Sequence, residues 1–335
     1  MMDLTVVIPT YNGEKRLPDV LEKLRSQIRT EGISWEVLVV DNNSSDRTAA
    51  VVQQFQKNWP PQIPLRYVLE TKQGAAFARQ RSVKESQAEL IGFLDDDNIP
   101  ELDWVYQAVH FAQKHPQAGT YGSQIHGLFE QELPPNFTRI QSYFAIIEWG
   151  DQPKQYNPKY NLVPPSAGLV VRRKVWLKYV PETCILSGRT HSSMLTGEDL
   201  EALSYIHHQS NWEIWYNPAM QIDHKIPPKR LEPEYLIPFF RGIGLSRYVT
   251  RMVGVHPLLK PILTTAYLAN DLRKLLLHIL RYGVSAQDEI AACERALLMG
   301  SLNSFFYLWS NGYLKGKNTS EKPSNAKISQ LPMSH

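Results

Sequence analysis

Cysteine is nearly absent from this 335-residue chain, with only Cys184 and Cys293 present. They lie too far apart for a C-x-x-C metal or redox motif, and two thiols cannot form a disulfide framework. A reducing compartment, the cytosol, is therefore the expectation. Long apolar runs are also missing: the best stretch, Pro257 to Leu280, is broken by Lys260, Asp271, Arg273 and Lys274, short of the ~18 residues a spanning helix requires. The chain runs from Met1 and Asp3 straight into LTVVIP, without the basic then apolar order of a secretory leader, so no such signal is expected. Neither G-x-G-x-x-G nor a P-loop is present, and there is no internal repeat.

Excess charge is scarce overall, at +3, but unevenly placed. Residues 1–223 carry a net −5 and residues 224–281 a net +7. A basic block of that size suits a phosphate-bearing ligand, an anionic membrane surface or a merely solvated face; no nucleic-acid partner is expected.

What is abundant is alternation. Short β-rich runs at Leu4–Ile8, Trp35–Val40, Leu65–Leu69 and Leu90–Leu94 are separated by helix-period segments, the pattern of βαβ units around a mostly parallel sheet. Leu17, Leu21, Leu24 and Ile28 predict one apolar helix stripe against that sheet, and Gly74–Ala88 and Leu102–His115 read as further helices. Prolines at 134, 135, 153, 158, 164 and 165 mark loops. Order returns in a strand at Ser166–Val171, a helix at Glu198–Gln209 and two strands at Trp212–Tyr216 and Met220–Asp223, before helical periodicity from Pro233 to Leu308. The tail, 315–335, has a disordered composition. The apolar residues between Leu258 and Leu280 fit a core-facing helix better than one lying in a membrane interface.

Three strands end in polar clusters: Pro9-Thr10-Tyr11-Asn12, Asp41-Asn42-Asn43-Ser44 and Asp95-Asp96-Asp97-Asn98. Ligands of parallel sheets bind beyond the carboxyl ends of strands, so the clusters should meet in one crevice. Three adjacent carboxylates repel one another unless an oxygen-loving divalent cation joins them; alternatively, Asp97 or Asn98 caps the following helix.

VVIPTYNG, VLVVDNNSSDRT, KQGAAFAR and FLDDDNIP, in this order, resemble the nucleotide-sugar-binding half of the family 2 glycosyltransferases. The resemblance covers roughly residues 3–250 and, in the helical end, is similar to bacterial or cyanobacterial exopolysaccharide enzymes of the hormogonium-polysaccharide type. It implies a GT-A fold, Rossmann-like and mostly parallel, over residues 1–230. Residues 1–125 would form the nucleotide-sugar half, 126–230 the acceptor half and 231–314 a C-terminal helical region. It also implies a nucleoside-diphosphate sugar, UDP-linked, transferred with inversion to a saccharide or lipid-linked saccharide acceptor, with Mn2+ or Mg2+ as cofactor. Carried over residue by residue, Pro9, Thr10, Tyr11 and Asp41 would bind the base. Arg79, on the helix after Gly74, would reach base or ribose; Asp95 and Asp96 would hold the donor, and Asp97 the metal. The family often has a fourth acidic residue where Asn98 stands. SAGLVVRR and TGEDLEAL match the region that supplies the catalytic base, here Asp199, with Glu198 beside it orienting the acceptor, although Thr196 and Asp199 also fit a capping box. His224 is a candidate third metal ligand, and Arg230 a partner for the departing diphosphate. A sugar-phosphate nucleotidyltransferase and a non-catalytic sugar-nucleotide module are the competing readings. The cytoplasm, with possible attachment to the inner face of the membrane, is the expected location.

Overall fold

The computed structural model describes residues 2–157, 163–190, 193–284 and 288–314. The tail from 315 and the loop proline at 158 lie outside the described residues. Four strands appear where the apolar runs predict them: β1 (Leu4–Thr10), β2 (Trp35–Asp41), β3 (Leu65–Leu69) and β4 (Leu90–Phe93). They pair in parallel in the order β3-β2-β1-β4. Strands buried on both faces need no polar alternation, which explains why LTVVIP and EVLVV read as unbroken apolar runs.

Side chains alternate across the sheet and feed two cores. Leu4, Val6 and Ile8 pack with α1 (Leu17–Arg25), α2 (Thr48–Lys57) and α4 (Trp104–Lys114), whereas Val7, Leu38, Val40, Ile91 and Phe93 pack with α3 (Ala75–Glu85) on the opposite face. In α1, Leu17, Val20, Leu21 and Leu24 are buried at i, i+3, i+4 and i+7, each contributing about 1.5–3 kcal/mol. The stripe stops there. Ile28, expected to extend it, lies past the helix end and is 50% exposed.

The second half adds antiparallel pairing to the sheet. Strand β8 (Leu169–Arg172) runs antiparallel to β4, and the long strands β6 (Ala118–Phe129) and β9 (Glu213–Ile226) lie beyond it, with β5 (Asn98–Pro100) at the far edge and the short β7 (Lys154–Gln155) also against β9. The two strands expected near Trp212 and Met220 are one strand, interrupted opposite β6 by a register shift between Ser123 and Gln124. Strand β5 pairs with β9 so that Asn98 sits opposite His224. Neither Asp97 nor Asn98 caps a helix, because Asp103 occupies that position for α4. Helices α5 (Arg173–Tyr179) and α6 (Glu198–Gln209) complete the α3 face through Trp176, Ala202, Leu203 and Ile206.

Three long helices follow: α7 (Pro233–Met252), α8 (Lys260–Tyr282) and α9 (Glu289–Ser310). The R-G-I-G-L-S-R segment is a packing device, since a Cβ on Gly244 would come within 2.3 Å of the Leu297 carbonyl of α9. Phe240, Leu236, Cys293 and Leu297 join Phe137, Ile140 and Phe144 in a core that ties these helices to the sheet half. Helix α8 departs from expectation. Most of its leucines face outward: the fully buried residues are Asp271 and His278, while Ile262, Leu272, Leu276, Leu277 and Leu280 are exposed.

Candidate active site

Parallel pairing sets three strand ends at one edge. Thr10 is in register with Asp41, and Val7 with Phe93, so the polar clusters leave the sheet side by side. Asp41 is buried and held twice: one oxygen accepts the Ser44 amide at 2.8 Å and the other the Tyr67 hydroxyl at 2.7 Å. Burial, then the Asp41 carboxylate, pushes the Tyr67 phenol far above its ordinary range, so it stays a donor. Pro9 and Tyr11 are half-buried beside Thr10.

The three consecutive aspartates have three different environments. Asp96 is clamped by Arg16, at 2.8 Å and 2.9 Å to its two oxygens, and by the Thr10 hydroxyl at 2.5 Å. This bidentate pair fixes the loop and leaves Asp96 facing protein partners. Asp95 is the more open of the three, and Arg79 approaches it at 3.5 Å. Asp97 lies 3.7 Å from His224 and 3.1 Å from Arg230. Burial works against its charge, but the neighbouring imidazole and the Arg230 and Arg16 guanidiniums prevail and hold it well below the usual carboxylate range.

His224 is held at both ring nitrogens. Its Nδ1 faces the Phe144 carbonyl at 2.9 Å and its Nε2 the Arg230 guanidinium at 3.0 Å. Nδ1 thus sits on a backbone acceptor, and Nε2 lies between Arg230 and Asp97. One carboxylate and one imidazole fit a divalent cation that takes its remaining ligands from phosphate and water. Among the described residues no group of three His, Cys, Asp or Glu side chains could hold a metal alone. In this arrangement the Arg230 guanidinium supplies the positive charge between the two candidate ligands.

The second acidic cluster comes from the start of α6. Gly197, at φ +96°, opens the helix without a side-chain cap, so the anticipated capping box is not formed. Asp199 instead accepts the Ser166 amide at 3.1 Å and the Leu200 amide at 2.8 Å. Glu198 accepts Arg79 at 2.8 Å, and Arg79 also donates to the Ser166 hydroxyl at 2.7 Å. Arg79 is thus buried and committed to Glu198, Ser166 and Asp95, and only its Nε lacks a partner. Burial, then the Glu198 charge, raises Asp199 above an ordinary aspartate, against the opposing pull of Arg79. Glu198 is lowered, because Arg79 overcomes its burial.

These side chains are positioned by a relay that no local motif announces. Glu201 accepts the Ile185 and Leu186 amides at 2.9 Å and 2.8 Å, holding the loop whose Ser187 carbonyl accepts the Ala76 amide. That loop covers Gly74, whose φ is +131° and whose amide is bound by Asn42 at 2.7 Å. A Cβ there would meet the Ser187 carbonyl at 2.6 Å. Gly74→Ala is accordingly expected to cost about 2 kcal/mol or more in urea unfolding, from forbidden backbone and displaced loop together. A loss under half that would show the loop free to move.

A cleft beside α6 is lined by Arg79, Ser166, Glu198 and Asp199 together with Phe77, Trp176 and other apolar residues. Asp95, Asp97 and Asp41 do not line it. Arg79 contacts both Asp95 at the strand edge and Glu198 on this cleft.

A parallel βαβ half whose strand ends carry polar clusters, extended by an antiparallel half bearing a second carboxylate pair, defines a Rossmann-like α/β fold. The chain belongs to glycosyl transferase family 2, whose family model matches residues 5–174. It is similar to the glycosyltransferase AglE of Haloferax volcanii, at 29% identity over 172 residues, 51% of this chain and 53% of that one. It is also similar to the poly(ribitol-phosphate) beta-N-acetylglucosaminyltransferase TarS of Staphylococcus aureus, at 30% over 152 residues, 42% of this chain and 26% of the relative. The chain thus matches about half or less of the length of these relatives. Among solved structures, a mannosyltransferase of Pyrobaculum calidifontis in complex with GDP-Man and Mn2+ shares the fold. Its TM-score is 0.58 at 18% identity, over 91% of this chain and 87% of that one.

Arg16, Tyr67, Ser166 and Glu201 were not anticipated. Arg16 pairs with a residue 80 positions away, and nothing in G-E-K-R alone points to it.

Proposed function

We propose that the chain transfers one sugar from a nucleoside-diphosphate sugar, UDP-linked, to a hydroxyl of a saccharide or lipid-linked saccharide, with inversion, in the assembly of a polysaccharide or glycolipid. The observation that carries this reading is the Arg79 hub: one guanidinium contacts Asp95 at the strand-edge crevice, Glu198 beside the acceptor cleft, and Ser166, whose amide binds Asp199. The anomeric carbon and the attacking hydroxyl must meet in one space, and the contacts of Arg79 with both Asp95 and Glu198 support two sites that adjoin.

In this reading Pro9, Thr10, Tyr11 and Asp41 shape the base pocket and Asp95 binds the ribose. Asp96 with Arg16, and Gly74 with the start of α3, keep that pocket in place. Asp199 accepts the proton of the attacking hydroxyl, and its two backbone donors aim the carboxylate while leaving lone pairs for the acceptor. Glu198 orients the acceptor and tunes Asp199. Asp97 and His224 would hold Mn2+ or Mg2+, which when bound polarises the diphosphate leaving group. Arg230, displaced from between them, would then turn its charge to the same phosphates. We place the reaction in the cytoplasm, in keeping with free Cys184 and Cys293.

The test is thermal unfolding with a panel of UDP- and GDP-sugars, each with and without MnCl2. A bound donor at 100 times its Kd adds about 2.7 kcal/mol, a midpoint shift of a few degrees. Asp97→Ala and His224→Ala are expected to abolish the manganese-dependent part. If no nucleotide sugar shifts the midpoint under any condition, the reading fails.

A further inference from the structure

Helix α8 is apolar outward as well as inward, where Tyr267, Leu268 and Leu275 are half-buried. Its interior-facing side carries Asp271, 0% exposed, with both oxygens bound by Arg251 and one by Ser301. The side facing outward carries Ile262 at 66% and Leu280 at 82% exposure, with Leu272, Leu276 and Leu277 about half exposed. At 100° per residue, Ile262, Ala266, Ala269, Arg273, Leu276 and Leu280 fall in one stripe, with Leu272 and Leu277 on its flanks. A contiguous apolar face of this kind is not left in water without a partner.

Charge selects the partner. Helix α8 carries Lys260, Arg273, Lys274 and Arg281, and its single acid, Asp271, is sealed beneath it. Arg273 rises from the middle of the apolar stripe, where a long side chain can lay its methylenes along hydrocarbon and lift its guanidinium to headgroup level. A second copy of α8 would set these cations against each other with no exposed acid on the helix to pair them. No helix among the described residues is long and apolar enough to cross a membrane. A basic helix with an outward apolar stripe suits the plane of an anionic bilayer instead.

We propose that α8 is an in-plane membrane-binding helix that docks the protein onto an anionic lipid surface, its leucines among the acyl chains and Arg273, Lys274 and Arg281 at the phosphates.

The experiment is cosedimentation of the full chain with extruded vesicles of phosphatidylcholine alone or with one quarter phosphatidylglycerol. Binding to the anionic vesicles should exceed binding to the neutral ones by at least tenfold and weaken in 0.5 M salt. Leu276→Glu with Leu280→Glu should release the protein, and Arg273→Gln with Lys274→Gln should weaken binding by roughly fivefold for each charge removed. Circular dichroism melting establishes that each variant is folded, and because these positions are exposed the midpoints should not fall. Equal recovery in the supernatant with both vesicle types would overturn the proposal. So would a light-scattering dimer that the leucine substitutions convert to monomer, since a second copy would then cover the face.

Discussion

Asp199→Asn is expected to lower the transfer rate by about 10²–10⁴, the range that removing a positioned general base produces, while donor binding changes little. Asparagine keeps one oxygen, enough for one of the two backbone amides that Asp199 accepts, so the start of α6 should persist while the proton acceptor is lost. Measured nucleoside-diphosphate release and donor affinity separate the two effects. A variant with normal turnover would remove Asp199 from the chemistry. The pH profile supplies a second readout. Burial, followed by the Glu198 charge, raises Asp199, so its active, ionised form is lost on the acid side at higher pH than for an exposed aspartate. Glu198→Gln removes the like charge and leaves Arg79 undivided, which should move the acid limb of kcat/KM to lower pH. A limb that stays in place, or moves upward, would assign it to another group.

Arg79→Met should cost about 3–5 kcal/mol in urea unfolding, the penalty for stranding a buried charge by removing its partner. Glu198, which Arg79 holds ionised, would be left buried without a counter-ion. The double variant Arg79→Met with Glu198→Gln should recover a large share of that loss, because the charge left behind is removed as well. It should remain slow in transfer, since Asp199 loses the cation that favours its ionised form and Ser166 loses the donor that fixes it. If the single variant loses less than about 1 kcal/mol, the Arg79 cluster is not desolvated as described.

The sequence announces some of these features and hides others for identifiable reasons. Strands β1 to β4 are legible because each is a short apolar run closed by turn residues, and the Asp95–Asp97 cluster is legible because it ends such a run. Strand β6 is not, since AGTYGSQIHGLF contains three glycines and several polar residues that become buried only through long-range partners such as Trp104, whose indole binds Ser123 at 3.0 Å. Identical causes conceal Arg16, Tyr67 and Ser166: each acts on a residue distant in the chain, through a contact that only the assembled sheet creates. The outward leucines of α8 mislead in the opposite sense. Periodicity shows that a helix has an apolar stripe but not which way the stripe faces, and here two buried ionisable residues take the inner side.

The pairing of β5 with β9 constrains how this protein can change. His224 reaches Asp97 because it stands opposite Asn98 in an antiparallel ladder, a few residues past the irregularity near Asn217. Side chains in a strand switch faces at every step. A single-residue deletion or insertion between that irregularity and His224 would turn the imidazole to the far side of the sheet and bring Asp223 or Lys225 around in its place. Chain-length changes in this stretch should therefore be tolerated in pairs and rejected singly, a parity rule for anyone grafting segments between related chains.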